Sequence, residues 1–216
     1  MTTAKDLFII TMDPRPERSV GQGDLSLALA GAELIDLIDA GAVTVDEDRI
    51  VPVEASTPQD GLLGEAAALL TREPPHERIE DWLWRRGRDL AAAYQAALEE
   101  DGELTRKRSG RLSFGSKRVE PVDTPARRAA AERWEEREPV LAALASAVGV
   151  EGGRPENAEE AEDTENAEDA EDQPGLDDDA VTAVVTAVHD AVMELEAVRQ
   201  RRTIENSAFA NLWRGP

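Results

Sequence analysis

The chain has 216 residues, a formal net charge of −22 and no cysteine. That length can bury one ordinary core. The acidity argues against nucleic acid or anionic lipid being held by the surface as a whole, and the absence of thiols excludes disulfides and thiolate metal sites, in keeping with a reducing cytosol. No apolar run approaches the roughly 20 residues that span a bilayer. The run after Lys5 is too brief for a signal peptide and is soon followed by charge, so a soluble, cytoplasmic protein is expected.

Residues 6–12 (DLFIITM) form a buried opening segment, too short to decide between strand and helix. Residues 13–23 read as a polar loop broken by Pro14 and Pro16. Leu27, Ala30, Leu34, Leu37 and Ile38 then recur on one helical face, with Asp24 as N-cap and Gly41 where a helix ends in a left-handed residue. Beyond Gly41 the period changes. Val43, Val45, Ile50, Val51 and Val53 flank a polar Asp46-Glu47-Asp48 turn, which predicts a short hairpin. Residues 56–61 form a turn and residues 62–70 a small helix. Pro74 and Pro75 open the next helix, Pro being tolerated in a first turn. That helix buries Ile79, Trp82 and Leu83, and Gly87 interrupts it before residues 90–98 continue.

The helix-glycine-hairpin pattern recurs over residues 98–123. Asp39-Ala40-Gly41-Ala42-Val43-Thr44 aligns with Glu100-Asp101-Gly102-Glu103-Leu104-Thr105, and residues 51–54 are loosely echoed by residues 119–122. Duplication and a second use of one simple motif both account for this. Residues 125–150 hold two helices with Trp134, Val140, Leu141, Leu144, Val148 and Val150 as core candidates. Residues 156–179 contain thirteen acids and no base. Such a tract buries too little apolar surface to offset chain entropy, so disorder is expected there. A helix resumes over residues 180–199 through Val181, Val184, Val185, Val188 and Val192, and Phe209, Leu212 and Trp213 are expected to dock on the core. The fold class is therefore mainly α: one compact helical domain with two small β-hairpins in winged-helix-like units. Its divisions are a helical domain over residues 1–150, an acidic insertion over 151–179, and a closing helix and tail over 180–216.

Catalytic chemistry finds no residue pattern to rest on. The two histidines, His76 and His189, lack ligand spacing, and His76 beside two prolines reads as a solvated residue at a helix start. Gly21-x-Gly23 and the glycines between 110 and 115 match no phosphate-binding fingerprint. No catalytic residue, metal or cofactor is expected.

The anomaly is basic. Of 24 lysines and arginines, thirteen fall between residues 85 and 137, and residues 104–128 carry eight bases against two acids. Arg106, Lys107, Arg108, Arg111, Lys117 and Arg118 lie on the second hairpin with Phe114 near its centre, and Arg85, Arg86 and Arg88 cluster on the preceding helix. Such a hairpin suits anionic lipid headgroups or a nucleic-acid backbone. The plainer reading is a solvated hairpin whose bases pair with the chain's own acidic tract.

Several pieces, in order, resemble the GPP34 family, whose eukaryotic relative is Golgi phosphoprotein 3. They are Asp6-Leu7-Phe8-Ile9-Ile10, then LAGAELIDL at residues 29–37, TPQDGLLGEA at 57–66, Asp81-Trp82, the turn at 98–105 and LAALASAVGV at 141–150. The chain looks like a bacterial, actinobacterial member, and the resemblance spans residues 5–150 and, more weakly, 180–213. It implies a helical, non-catalytic domain acting as an adaptor that binds phosphatidylinositol 4-phosphate on Golgi membranes. It also implies a hairpin used for membrane contact and self-association, here residues 104–119. The family's headgroup positions align near Gly21, Ala30, Arg88 and Ala91; only Arg88 keeps its residue type, with Arg85 and Arg86 one turn away.

The reading is a GPP34-like, non-enzymatic protein associating peripherally with anionic membrane. Arg85, Arg86 and Arg88 are its headgroup candidates, and the basic hairpin is its membrane or partner contact. Self-association through the hairpin, unidentified protein partners and a phosphoinositide or other anionic lipid are the expected contacts. The alternatives are a winged-helix nucleic-acid-binding regulator, for which no donor-rich recognition helix is evident, and a protein-binding scaffold using the acidic tract.

Overall fold

The computed structural model describes residues 2–12, 20–53, 61–108, 117–150 and 178–213, with side chains undescribed at 107, 108, 117, 118 and beyond 205. The expected acidic insertion therefore lies almost wholly outside the described residues. The elements are α1 (Thr3–Thr11), α2 (Gln22–Asp39), β1 (Val43–Asp46), β2 (Arg49–Pro52), α3 (Gly61–Ala68), α4 (Ile79–Arg86), α5 (Leu90–Glu100), β3 (Leu104–Arg108), β4 (Lys117–Pro121), α6 (Pro125–Glu135), α7 (Pro139–Ala147) and α8 (Asp179–Trp213). The fold is mainly helical, with two separate antiparallel two-stranded sheets.

The opening segment is a helix. Thr2 caps it by accepting from the Lys5 N–H, and Asp36 of α2 accepts from the backbone N–H groups of Thr3 and Ala4 at 2.7 and 3.1 Å. These bonds satisfy three donors that a helix start leaves orphaned. Helix α2 is the axis of the core. Every residue from 25 to 37 is buried, which corrects the expectation of a single apolar face: a helix packed on all sides needs no polar stripe. Around it stand α1, α3, α4, α5, α7, α8 and β1. Asp24 is not the N-cap; Gly21 is, and Asp24 lies inside the first turn.

Both hairpins leave their helices in the same way. Gly41 and Gly102 take φ of +66° and +77°. Ala42 and Glu103 then donate back to Leu37 and Leu98, each at 2.9 Å, and later accept from Val53 and Val122 at 2.9 and 2.8 Å. Val43 and Leu104 are buried at equivalent positions, paired with Pro52 and Pro121. Thus the aligned sequence segments have one geometry.

Pro74 and Pro75 do not open α4, which starts at Ile79. The intervening backbone pairs instead with the first hairpin: Ile50 donates to Glu77 and Ile79 to Asp48, at 2.9 and 2.8 Å. Thr124 and Glu138 cap α6 and α7, each followed by proline at the first helical position. Helix α8 runs antiparallel to α2, with Val184 and Val188 against Gly31, and Leu195 and Arg199 beside Gly23. It continues unbroken to Trp213, and the side chains of Phe209, Leu212 and Trp213, expected to dock, lie outside those described.

Candidate functional site

The three arginines around α4 do not converge on one point. Arg85 donates through Nε and Nη2 to the Glu77 carboxylate at 2.7 and 2.6 Å, and its guanidinium lies 5.1 Å from the Trp82 ring centre. Arg86 points inward. Its Nε and Nη2 donate to the two oxygens of Glu33 at 2.7 and 2.8 Å, and Nη2 also reaches the Leu62 carbonyl at 3.2 Å. The Glu33 side chain is wholly buried and that of Arg86 is 10% exposed. Tyr94 of α5 donates to the same carboxylate at 3.1 Å. Burial pushes the Glu33 carboxyl up, while the hydrogen bonds from Arg86 and Tyr94 pull against that. This cluster ties α2, α4 and α5 together and commits Nε and Nη2 of Arg86 to internal partners.

Arg88 differs. It follows Gly87, is exposed, and has no ion pair among the described residues. It sits at the N-terminal end of α2, because a Cβ on its neighbour Gly87 would lie 3.2 Å from the Ser26 carbonyl. Ala91 is at the same end, donating its N–H to Ser26 Oγ at 3.1 Å, and Gly21 caps α2 there. The family-aligned positions Gly21, Arg88 and Ala91 are thereby brought together. Ala30 and Ala91 are buried, and the Ala30 carbonyl accepts from Trp82 Nε1 at 3.1 Å. Arg199 closes this end from α8, donating to both oxygens of Asp24 at 2.8 and 2.7 Å.

On the second hairpin, buried Leu104 anchors β3. Arg106 pairs with Glu99 at 2.7 Å, its side chain 55% exposed, and that hydrogen bond, with one from Gln95, holds the Glu99 carboxyl low. The strand register sets Arg106 across from Val119, Lys107 across from Arg118, and Arg108 across from Lys117. Arg111 and Phe114 lie outside the described residues.

Sequence reasoning missed a second polar cluster. A cleft of about 480 Å³ between the start of α1, the end of α2 and α6 is lined by Thr2, Thr3, Asp6, Asp36, Asp39 and Arg133, among others. Asp6 is fully buried and ion-paired with Arg133, which also binds Glu138 at 3.0 Å. Burial raises the Asp36 pKa to about 6 against its two backbone hydrogen bonds. These carboxylates fix helix ends to one another. Their one legible signal was position: Glu33 and Asp36 interrupt an otherwise apolar stretch of α2. Among the described residues, no group of three or more His, Asp or Glu is placed to hold a metal ion.

Together these features define a helical domain with two helix-hairpin units, one carrying a basic rung pattern, in which no described helix is long and apolar enough to cross a membrane. The family model described as Golgi phosphoprotein 3 (GPP34) matches residues 4–195, and the chain belongs to that family. No curated protein matches the chain.

Proposed function

We propose that this chain is a non-catalytic adaptor that docks peripherally on an anionic membrane surface through the β3–β4 hairpin, with Arg88 as an additional cationic contact. The observation that carries this reading is the strand register, which sets Lys107 opposite Arg118 and Arg108 opposite Lys117 on the two rungs farthest from the Leu104 anchor. Like charges on facing positions of a ladder oppose pairing in isolation. An anionic surface turns that opposition into attraction of about 1 kcal/mol per basic residue. A net charge of −22 makes the local sign reversal decisive, because the remaining surface is repelled by the same membrane. Arg85 and Arg86 have internal partners and are not part of the proposed contact.

Co-sedimentation with vesicles of neutral lipid, of phosphatidylglycerol, and of neutral lipid containing phosphatidylinositol 4-phosphate tests the reading. Binding to both anionic vesicles supports a charge-driven contact. Selectivity for the phosphoinositide, lost in Arg88→Gln, assigns a headgroup site to the N-terminal end of α2. Absence of binding to every vesicle overturns the proposal.

A further inference from the structure

The two hairpins leave their helices alike and differ at their outer edges. Their registers match Val43 to Leu104 and Pro52 to Pro121, which makes Ile50 equivalent to Val119, Arg49 to Arg118 and Asp48 to Lys117. In the first hairpin the outer edge of β2 is occupied. Ile50 donates to the Glu77 carbonyl at 2.9 Å and Ile79 donates to the Asp48 carbonyl at 2.8 Å, with Arg78 set opposite Arg49 in an antiparallel bridge. The Arg78 side chain completes the contact by pairing with Asp48 at 2.5 Å. The chain returns to this edge by way of α3 and residues 69–78.

The second hairpin has no such return. Only Val122, Asp123 and Thr124 separate β4 from α6, and among the described residues no segment outside the hairpin pairs with β4. The phase of that open edge follows from its neighbours. Val122 donates inward to Glu103 at 2.8 Å, and backbone groups alternate sides along a strand, so those of Pro121, Val119 and Lys117 face outward. Pro121 agrees with this phase, since proline within a sheet takes edge positions whose N–H side needs no partner. Val119 thus presents its N–H, and Lys117 its carbonyl, where Ile50 and Asp48 make their bonds in the first hairpin.

We propose that the outer edge of β4 is a docking site for an extended acidic segment of a partner protein, added as an antiparallel third strand in the way that residues 77–79 cover β2. In strand addition of this kind the backbone bonds supply affinity and the alternate side chains supply specificity. The occupant's charge follows from the equivalence of the two edges. Arg78 meets Asp48 in the first hairpin, whereas the matching place in the second lies opposite Arg118 and beside Lys117, which calls for a glutamate or aspartate. A second copy is the poorer occupant. Pairing β4 with itself would set Lys117 and Arg118 against their own kind, and bases on an edge strand oppose that association. The inference stands apart from the membrane reading, because it needs the row of N–H and C=O groups that an extended chain offers and a lipid surface does not.

Fluorescence polarisation of a labelled peptide of alternating valine and glutamate, titrated with the full chain in the absence of lipid, tests this. In the proposed register the valine nitrogens donate to β4 and the glutamate nitrogens face away. Binding is expected, weakened by about tenfold when the valine nitrogens are methylated and little changed when the glutamate nitrogens are. Val119→Pro removes the outward N–H while sparing the pairing with β3, and should lower affinity by a similar factor. Lys117→Asp, which reproduces Asp48, should shift preference from the glutamate peptide to one alternating valine and lysine. The methylated peptides are read on the parent, so the result does not depend on how the variants fold. No binding by the parent, or two methylation patterns that act alike, overturns the proposal. Dissociation of a parent dimer by Val119→Pro, with no peptide bound, gives the edge to a second copy and overturns it too. Vesicle binding by a parent that ignores the peptide refutes the strand site and leaves the membrane contact standing, and peptide binding by a parent that ignores vesicles supports the strand site alone.

Discussion

Replacing Arg86 separates a structural arginine from a lipid-binding one. Its guanidinium makes two hydrogen bonds to a carboxylate with no exposed side-chain surface, and Tyr94 shares that carboxylate. Arg86→Ala removes both bonds and leaves Glu33 buried between α2 and α4 without its counter-charge. Breaking such a pair by removing one partner typically destabilises by about 3–5 kcal/mol, against a total stability of about 5–15 kcal/mol for a domain of this kind. Urea denaturation followed by circular dichroism should show a loss in that range, with an unchanged dependence on denaturant. The double variant Glu33→Leu with Arg86→Leu, which removes both charges, should recover most of the loss. A stability change below about 1 kcal/mol in Arg86→Ala, together with lost vesicle binding, would refute the structural assignment and return Arg86 to the surface.

Arg88→Gln should leave stability within about 0.5 kcal/mol, as for exposed sites without special contacts, while weakening binding to anionic vesicles. Gly31→Ala should destabilise by about 1–3 kcal/mol in the same urea assay, because its Cβ would stand 2.3 Å from Val188 Cγ2 of α8. Asp36 gives a pH signature. Its carboxyl is raised from 3.8 to about 6 by burial, so the folded state binds a proton more readily than the unfolded state. Its contribution to stability is therefore fully present below about pH 4 and lost as pH rises through about 6. A shift of about two units corresponds to about 3 kcal/mol. Relative to Asp36→Asn, the parent should gain up to that amount on acidification from pH 7 to pH 4; a difference flat across this range would contradict the assignment.

The elements most legible in the sequence were those set by local physics. The change from a helical to an alternating period at Gly41 and again at Gly102 marked both hairpins. The prolines at 125 and 139 agree with the starts of α6 and α7. Boundaries depending on distant partners were less legible. Pro74 and Pro75 suggested an early α4, but residues 77–79 are drawn into pairing with the first hairpin. Asp24 had the chemistry of an N-cap, yet its carboxylate accepts from Arg199, 175 positions away. The same reason explains the arginines of α4. Spacing assigns a residue to a helix face, but it cannot reveal that Glu33, 53 positions earlier, neutralises Arg86 in the interior. The basic hairpin was legible because charge composition is local, and its register then set the basic residues on facing positions.

Vesicle flotation of the full chain beside a variant carrying Arg106→Gln, Lys107→Gln and Arg108→Gln tests the central claim most directly. Phosphatidylglycerol vesicles at low and at high salt are the comparison. Three bases near an anionic surface contribute about 3 kcal/mol, so the variant should bind roughly 100-fold more weakly. The parent's affinity should fall steeply as salt is raised. Equal binding by parent and variant, or binding indifferent to salt, would contradict a charge-driven contact through the second hairpin.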